Sequence, residues 1–548
     1  MSVRLKYGLI IIFSLVLLLP MLGSMPLFEW LETGYASASK EMVTSGHYFS
    51  ISVGGRTDIT FQPLFIWFQA ISMKIFGINE FAARFPNAIC GVFTLLFLFY
   101  IGKRLVNDLF GLLWALFYAT SLIPFYFFRT GLTEPWHNLF MLAGMVCVYE
   151  FFLSANSKRK DFYALMAAVC LGLAFLTNGF YSWIVLALSL IVYSIVKMFK
   201  VKVKIRHVVL FMGVLLAIGC IWPLVAAFKG EAHNVWAAYR FQIHKALMMN
   251  TGRKDFFPFY VILVIVGVFP ASILAFNIIK KQRKDDREPL HEFRNWMMIL
   301  FLVVIGFQLL MRPRLSNYST FAFIPLTFFA TYVVSKLIEL KQEFPKWTAR
   351  FMLLVAVISG TFIISVEVIH YYKDYILSSR LLDNTFVKEV FEANVVVSRT
   401  MLFAGLFYIS GVLTIFMYGQ FSFLTKLFTI LGLTILFNYC TYFFAFPHVM
   451  EYRQGTITRF FKEKKAEDCY IIPIDFIAYG QFFYGNKTRP ASGIKRLYGG
   501  ESQPDKPLYF IYRSNISREL LDKLGPIRPI RQENGYIVSQ KLSQNDQQ

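Results

Sequence analysis

Solid apolar blocks narrow what this chain can become more than any other feature. "LIIIFSLVLLLPMLG" near the N-terminus is followed by "ICGVFTLLFLFYIG", "IVLALSLIVYSIV" and "MLLVAVISGTFII". A helix needs about 20 such residues to cross a bilayer, and only helices or closed barrels can satisfy their backbone there. Barrel strands alternate apolar and polar positions, whereas these blocks are continuous and rich in Phe, which occurs 60 times in 548 residues. The chain is therefore read as an all-α polytopic membrane protein, with about 13 transmembrane helices between residues 8 and 446. The first run follows Arg4 and Lys6 but lacks a clear cleavage pattern, so it is read as a retained helix.

Basic residues crowd the short connectors, as in "SANSKRKD", "KMFKVKVKIRH" and "KKQRKDDREPLHEFRN". The formal net charge of +22 thus expresses the positive-inside bias, and no nucleic-acid motif accompanies it. With Arg4 and Lys6 inside, segments 26–81, 229–256 and 371–399 face the extracytoplasmic side, together with everything after 446. In that tail "CYIIPID", "PLYFIYR" and "NGYIVSQK" read as strands, with "FIAYGQFFYG" and "ISRELLDKLG" as helices. The expected organisation is a membrane domain over 1–446, including the first loop 26–81, and a small extracytoplasmic α/β domain over 447–548. The six cysteines have no metal or disulfide spacing.

Polar residues collect on the outer side. If 32–45 is helical, Glu32, Tyr35 and Ser39 share one face, with Glu29 just before them. An amphipathic helix lying on the membrane would produce the same pattern. Segment 58–77 is too short and interrupted for a span and fits an interfacial or re-entrant helix. "FRTGLTEPW" carries Arg129 and Glu134; the carboxylate either complements a helix dipole or faces a cavity at the membrane boundary. Further on lie His244 and Arg253, then Arg312, Arg314 and Tyr318. Outer-side arginines run against the orientation bias, and guanidinium forks match phosphate oxygens. Isolated histidines such as His137 read as packing residues, and His244 is a weak metal candidate. No Walker loop, Ser-His-Asp order or dinucleotide fingerprint occurs.

"ETGYASASKEMVTSGHYF" and "FQPLFIWFQAISMKIFGINEFAARFPNAICG" resemble the bacterial lipid A aminoarabinose transferases and their relatives, the protein O-mannosyltransferases, which share the GT-C membrane fold. Glu32, Tyr35, Ala36, Glu41, Met42, Phe76, Gly77, Arg84 and Pro86 carry the likeness, and Glu134 stands where an aspartate is usual. "GLAFLTNG" and "YSTFAFIP" extend it, and it is strongest over 26–180. The chain departs from the pattern at Leu31, where the family has an acid; at Thr60 and Phe61, where it has an acid and a lysine; and at Asn178, where it has a lysine.

The resemblance implies a multi-pass enzyme of the bacterial inner membrane. It would move a monosaccharide from a polyprenyl-phosphate carrier to a lipid A-type or other envelope acceptor, with no nucleotide sugar or nucleic acid involved. Glu32 and Glu134 are then the expected catalytic carboxylates, with Glu29 replacing the acid missing at Leu31. Arg312, Arg314, Arg253, Tyr35, Tyr318, Arg129 and Arg84 are the expected donor or phosphate contacts. No cofactor is assigned; a divalent metal fits the family, but its usual ligand positions are altered here. A monomer with a periplasmic C-terminal domain is expected. The rival classes are a protein O-mannosyltransferase-like enzyme, a lipid-linked sugar transporter and a silent envelope assembly protein. A transporter would set its polar groups near mid-membrane, whereas this sequence gathers them at one face.

Overall fold

In the computed structural model the described residues are 2–542, apart from 59–60, 199–202, 231–232, 241–256, 278–287, 311–315, 380–384, 394, 396–398, 419–420 and 491–504. The helices around the site are α1 (Val3–Leu18), α2 (Leu31–Ser45), α3 (Pro63–Phe76), α4 (Glu80–Leu105) and α5 (Asp108–Thr120). They continue with α6 (Leu122–Phe127), α7 (Glu134–Leu153), α8 (Ser157–Asn178) and α9 (Tyr181–Val196). Polar caps set their ends. Asn79 accepts from the Ala82 N–H at 2.8 Å to start α4, and Asn107 accepts from Phe110 at 2.9 Å to start α5. Lys103 and Arg104 close α4 at the negative end of its dipole.

Among the described residues eight helices are long and apolar enough to cross a membrane alone. The pair Ile205–Gly219 and Ile221–Phe228, bent by 47°, makes a ninth. Expected spans near 8–25, 108–128, 180–198 and 257–280 fall on shorter apolar helices, because caps and turns end each one early. α3 has 14 residues, the length expected of an interfacial element rather than a span.

The last span runs on. From Phe423 to Ala466 the chain is one continuous helical element of 44 residues, about 66 Å at 1.5 Å per residue, roughly twice a hydrocarbon core. Two π-helical turns, Thr441–Ala445 and Glu451–Gly455, flank Pro447 and let the helix continue past it. The expected domain boundary at 447 therefore lies inside this helix, and the first strand of the tail begins at Tyr470.

A two-residue ladder in the first loop pairs β1 (Ser52–Val53) with β2 (Arg56–Thr57). The tail forms a four-stranded sheet in the order β3-β4-β6-β5, made of β3 (Tyr470–Pro473), β4 (Leu508–Arg513), β5 (Ile527–Glu533) and β6 (Tyr536–Lys541). β3 and β4 run parallel and the other pairs antiparallel. β5 was not expected: Pro529 argues against a strand, and the fold admits it at the sheet edge with a bulge between Pro529 and Arg531. Of the expected tail helices only short cores form, Gly480–Phe483 and Arg518–Asp522.

The tail domain docks on α2, so tail and first loop share one side of the membrane. The short helix Gly480–Phe483 is held at both ends. Glu29 accepts from the N–H groups of Gly480 at 2.7 Å and Tyr479 at 3.0 Å, while Lys40 Nζ donates to the carbonyls of Phe483 at 2.6 Å and Phe482 at 2.8 Å. Each charge opposes the matching pole of the helix. A Cβ on Gly480 would fall 2.1 Å from Glu29 Oε1, so only glycine permits this approach. Burial holds the Lys40 ammonium down at about 8 and pushes the Glu29 carboxyl above its ordinary range against three hydrogen bonds that pull it down. Asp58 extends the clamp through Arg489 at 3.0 Å. Lys40→Met should strand the helix carbonyls, weaken docking by about 2–4 kcal/mol, and show in limited proteolysis as faster release of the tail. Unchanged cleavage would remove Lys40 from the clamp.

Candidate active site

α2 is no surface helix: Glu32 to Ser39 are all buried between α3, α4 and the tail. At its start Glu32, 1% exposed, meets Arg84, 0% exposed, as a bidentate pair, with Nε–Oε1 at 2.8 Å and Nη2–Oε2 at 3.0 Å. Oε1 also accepts from the Gly131 N–H at 2.6 Å, and Oε2 from Phe28 at 2.7 Å. Four donors engage the carboxylate, one for each lone pair. Arg84 spends its remaining donors on the carbonyls of Leu22, Met25 and Pro26, at 3.1, 2.9 and 2.9 Å. In this arrangement Glu32 ties α2, α4 and the α6–α7 loop together, and no lone pair is left over to take a proton.

Arg129 plays a matching part. It is 0% exposed and donates to the carbonyls of Leu17 at 3.0 Å, Leu18 at 3.2 Å and Pro20. These are the carbonyls that α1 leaves without partners where it ends. Tyr442 faces the guanidinium at 4.4 Å, with Phe125, Tyr439 and Phe443 around it. Two of the expected phosphate contacts, Arg84 and Arg129, are thus seated on the backbone of 17–26 instead. A buried guanidinium held by carbonyls has few donors to give a ligand.

The loop between these anchors is fixed along its length. Asn87 Nδ2 donates to the carbonyls of Thr130 and Leu132, both at 2.6 Å. A Cβ on Gly131 would lie 2.8 Å from Gln69 Nε2 and 3.0 Å from the Ala83 carbonyl, so this residue must stay small for the loop to reach Glu32. Gln69 itself bridges Ser39 Oγ at 2.9 Å and the Ala83 carbonyl at 2.7 Å. What the network delivers is Glu134, 4% exposed, as the first residue of α7, with Pro135 behind it. One turn on, Asn138 Nδ2 donates to Thr320 Oγ1 at 3.0 Å, which brings the turn Ser316–Ala322 beside the start of α7.

Glu29 and Tyr35 sit elsewhere in the roof. Glu29 belongs to the tail clamp. Tyr35 packs edge-on against Phe61 at 4.8 Å and Phe65 at 5.6 Å, and Phe61 meets Tyr479 of the tail at 5.6 Å. Arg253, Arg312, Arg314 and His244 lie outside the described residues, as does the side chain of Tyr318. Among the described residues no group of three His, Cys, Asp or Glu is placed to hold a metal ion, and no step is derived through one. Sequence reading missed Asn87 and Gly131, whose roles depend on partners 43 to 99 positions away.

Residues 61–226 match the family model described as dolichyl-phosphate-mannose-protein mannosyltransferase. Among curated proteins, the undecaprenyl phosphate-alpha-4-amino-4-deoxy-L-arabinose arabinosyl transferase of Yersinia enterocolitica is 26% identical over 309 residues, covering 54% of each chain. An uncharacterised protein of Aquifex aeolicus is 26% identical over 310 residues, covering 54% of this chain and 58% of that one. The chain thus spans a little over half the length of the curated relatives it matches. Among solved structures, ArnT of Cupriavidus metallidurans bound to undecaprenyl phosphate has a TM-score of 0.68 at 15% identity, covering 99% of both chains. The archaeal oligosaccharyltransferase AglB of Archaeoglobus fulgidus has a TM-score of 0.50 at 11% identity, covering 93% of this chain and 69% of that one.

A multi-span helical body whose first loop carries a buried acidic site under a small α/β roof is the GT-C membrane fold. Within that class the chain is similar to aminoarabinose transferases over a little more than half its length, and to the mannosyltransferase model over 61–226.

Proposed function

We propose that the protein is an integral-membrane glycosyltransferase that moves a monosaccharide from a polyprenyl-phosphate carrier to a lipid A-type or other envelope acceptor. It acts as a monomer at the periplasmic face of the inner membrane, with its tail domain on that side. The observation that carries this reading is the Glu134 carboxylate, buried at the start of α7 directly after the loop that Asn87, Arg129 and Glu32 anchor. Likeness over the full chain to a protein crystallised with undecaprenyl phosphate supports the carrier.

In the transfer, the acceptor attacks the anomeric carbon as the bond to the carrier phosphate breaks, and that phosphate leaves with the electron pair. Glu134 takes the proton when the acceptor is a hydroxyl. With a phosphate acceptor, already anionic, it orients the sugar instead. Arg253, Arg312, Arg314 and Tyr318 are the proposed partners of the departing phosphate. Glu32, Arg84 and Arg129 hold the site's shape, and Glu29 holds its roof. The test is reconstitution in vesicles containing lipid A, supplied with undecaprenyl phosphate carrying an aminopentose or a hexose. Mass spectrometry should find the sugar on the acceptor lipid. Movement of the intact carrier across the bilayer without transfer would instead make the protein a transporter, and no turnover with any donor would favour the silent assembly role.

A further inference from the structure

Beneath Glu134, at the extracytoplasmic end of the membrane body, polar side chains are buried where four elements meet. His137 and Asn138 stand on the first turns of α7, three and four residues after Glu134, and so share its face. Ser319 and Thr320 come from the turn Ser316–Ala322, Tyr181 from the start of α9, and Gln308 from the end of the helix Glu288–Leu310. All are buried. Asn138 and Thr320 satisfy each other. The His137 ring lies 5.4 Å from Tyr181, whose ring lies 5.8 Å from Phe307. Polar groups at this depth are expensive and mark function more often than packing.

Within this cluster His137 carries a ring nitrogen that no described residue meets. It is 2% exposed, Nδ1 faces the Ala174 carbonyl of α8 at 3.3 Å, and Nε2 has no hydrogen-bond partner among the described residues. A carbonyl can only accept, so the proton sits on Nδ1, and in the neutral ring Nε2 presents a lone pair. Leaving a buried acceptor unmet costs about 1–3 kcal/mol, and a phenylalanine would fill the same space without that cost. Nothing among the described residues accounts for the imidazole.

We propose that His137 is a substrate-binding residue whose Nε2 accepts a hydrogen bond from a hydroxyl of the carrier-linked sugar. The inference rests on the transferase reading. The chemistry of the donor singles out its sugar: the isoprenoid tail has no donor, and the ionised phosphodiester oxygens only accept. Ring hydroxyls donate. With its proton fixed by Ala174, His137 discriminates for a hydroxyl at one position of the ring and leaves proton transfer to Glu134.

The test uses the full chain in detergent and measures binding of two probes without acceptor lipid: bare undecaprenyl phosphate, and undecaprenyl phosphate carrying a hexose or an aminopentose. Wild type should bind the sugar-bearing form more tightly. His137→Phe should weaken that form about tenfold, leave the bare carrier unchanged, and unfold thermally at the wild-type temperature or above. His137→Gln, which returns an acceptor near the Nε2 position, should recover part of the difference. A lower unfolding temperature with both probes weakened would make His137 structural and overturn the proposal. Intact sugar discrimination in His137→Phe would overturn it as well. Wild type binding neither probe would sink the transferase reading itself, and this inference with it.

Discussion

Glu134→Gln is expected to lower sugar transfer by about 10²–10⁴-fold, the usual worth of a positioned proton acceptor, while the protein stays folded. The substitution keeps shape and volume and removes only the charge. Glu134 is the first residue of α7, where a negative group gains from the helix dipole, so the charge loss costs stability as well. That cost is about 0.3–1 kcal/mol, far below what the rate should show. The loop before it remains pinned by Arg129 on α1, by Asn87 on the Thr130 and Leu132 carbonyls, and by the Gly131 N–H on Glu32. None of these bonds involves the Glu134 side chain, so all of them survive the substitution. Vesicle assays should find the loss in kcat, with thermal unfolding nearly unmoved. Glu134→Asp, which installs the residue usual in the resembled family, should keep part of the rate because it shortens the reach without removing the carboxylate. Full activity in Glu134→Gln would take this carboxylate out of the chemistry.

How far the sequence could be read depended on the range of the interaction. Membrane class, the helical nature of 31–45, the interfacial length of α3 and three of the four tail strands follow from composition and period within a few residues. Roles that depend on distant partners were not legible. Arg84 and Arg129 were expected as phosphate contacts from the family resemblance. Their partners are backbone carbonyls of 17–26, released where α1 ends, and no side-chain pattern announces a carbonyl. Glu32 was placed on the correct face with Tyr35 and Ser39, yet spacing along α2 says nothing about Arg84, 52 positions away. Glu29 was read as a second active-site acid, whereas its acceptors are filled by Tyr479 and Gly480, about 450 positions on. The expected boundary at 447 falls inside a helix that two π-helical turns carry past Pro447, a continuation the end of the apolar run does not announce.

Glu32 poses the sharpest choice, because a catalytic carboxylate and a buried structural one predict opposite results for the same substitution. If Glu32 holds the fold, Glu32→Gln should destabilise by about 3–5 kcal/mol, since it leaves the Arg84 charge buried without its counter-ion. Arg84→Met should cost more still. It strands the Glu32 carboxylate and also deprives the Leu22, Met25 and Pro26 carbonyls of their donor. The double variant Glu32→Gln with Arg84→Met should be more stable than the two single losses added together, because the charge left uncompensated in each single variant is gone. The Leu22, Met25 and Pro26 carbonyls stay unmet in the double variant, so full recovery is not expected. Thermal unfolding of the four proteins in detergent measures the coupling directly. A catalytic Glu32 gives a different signature: Glu32→Gln would unfold at the wild-type temperature with its turnover lost, and the two substitutions would add. The pair as built leaves no lone pair on Glu32 for a proton, which is why the structural outcome is the one expected, and why Glu134 is the carboxylate proposed to meet substrate.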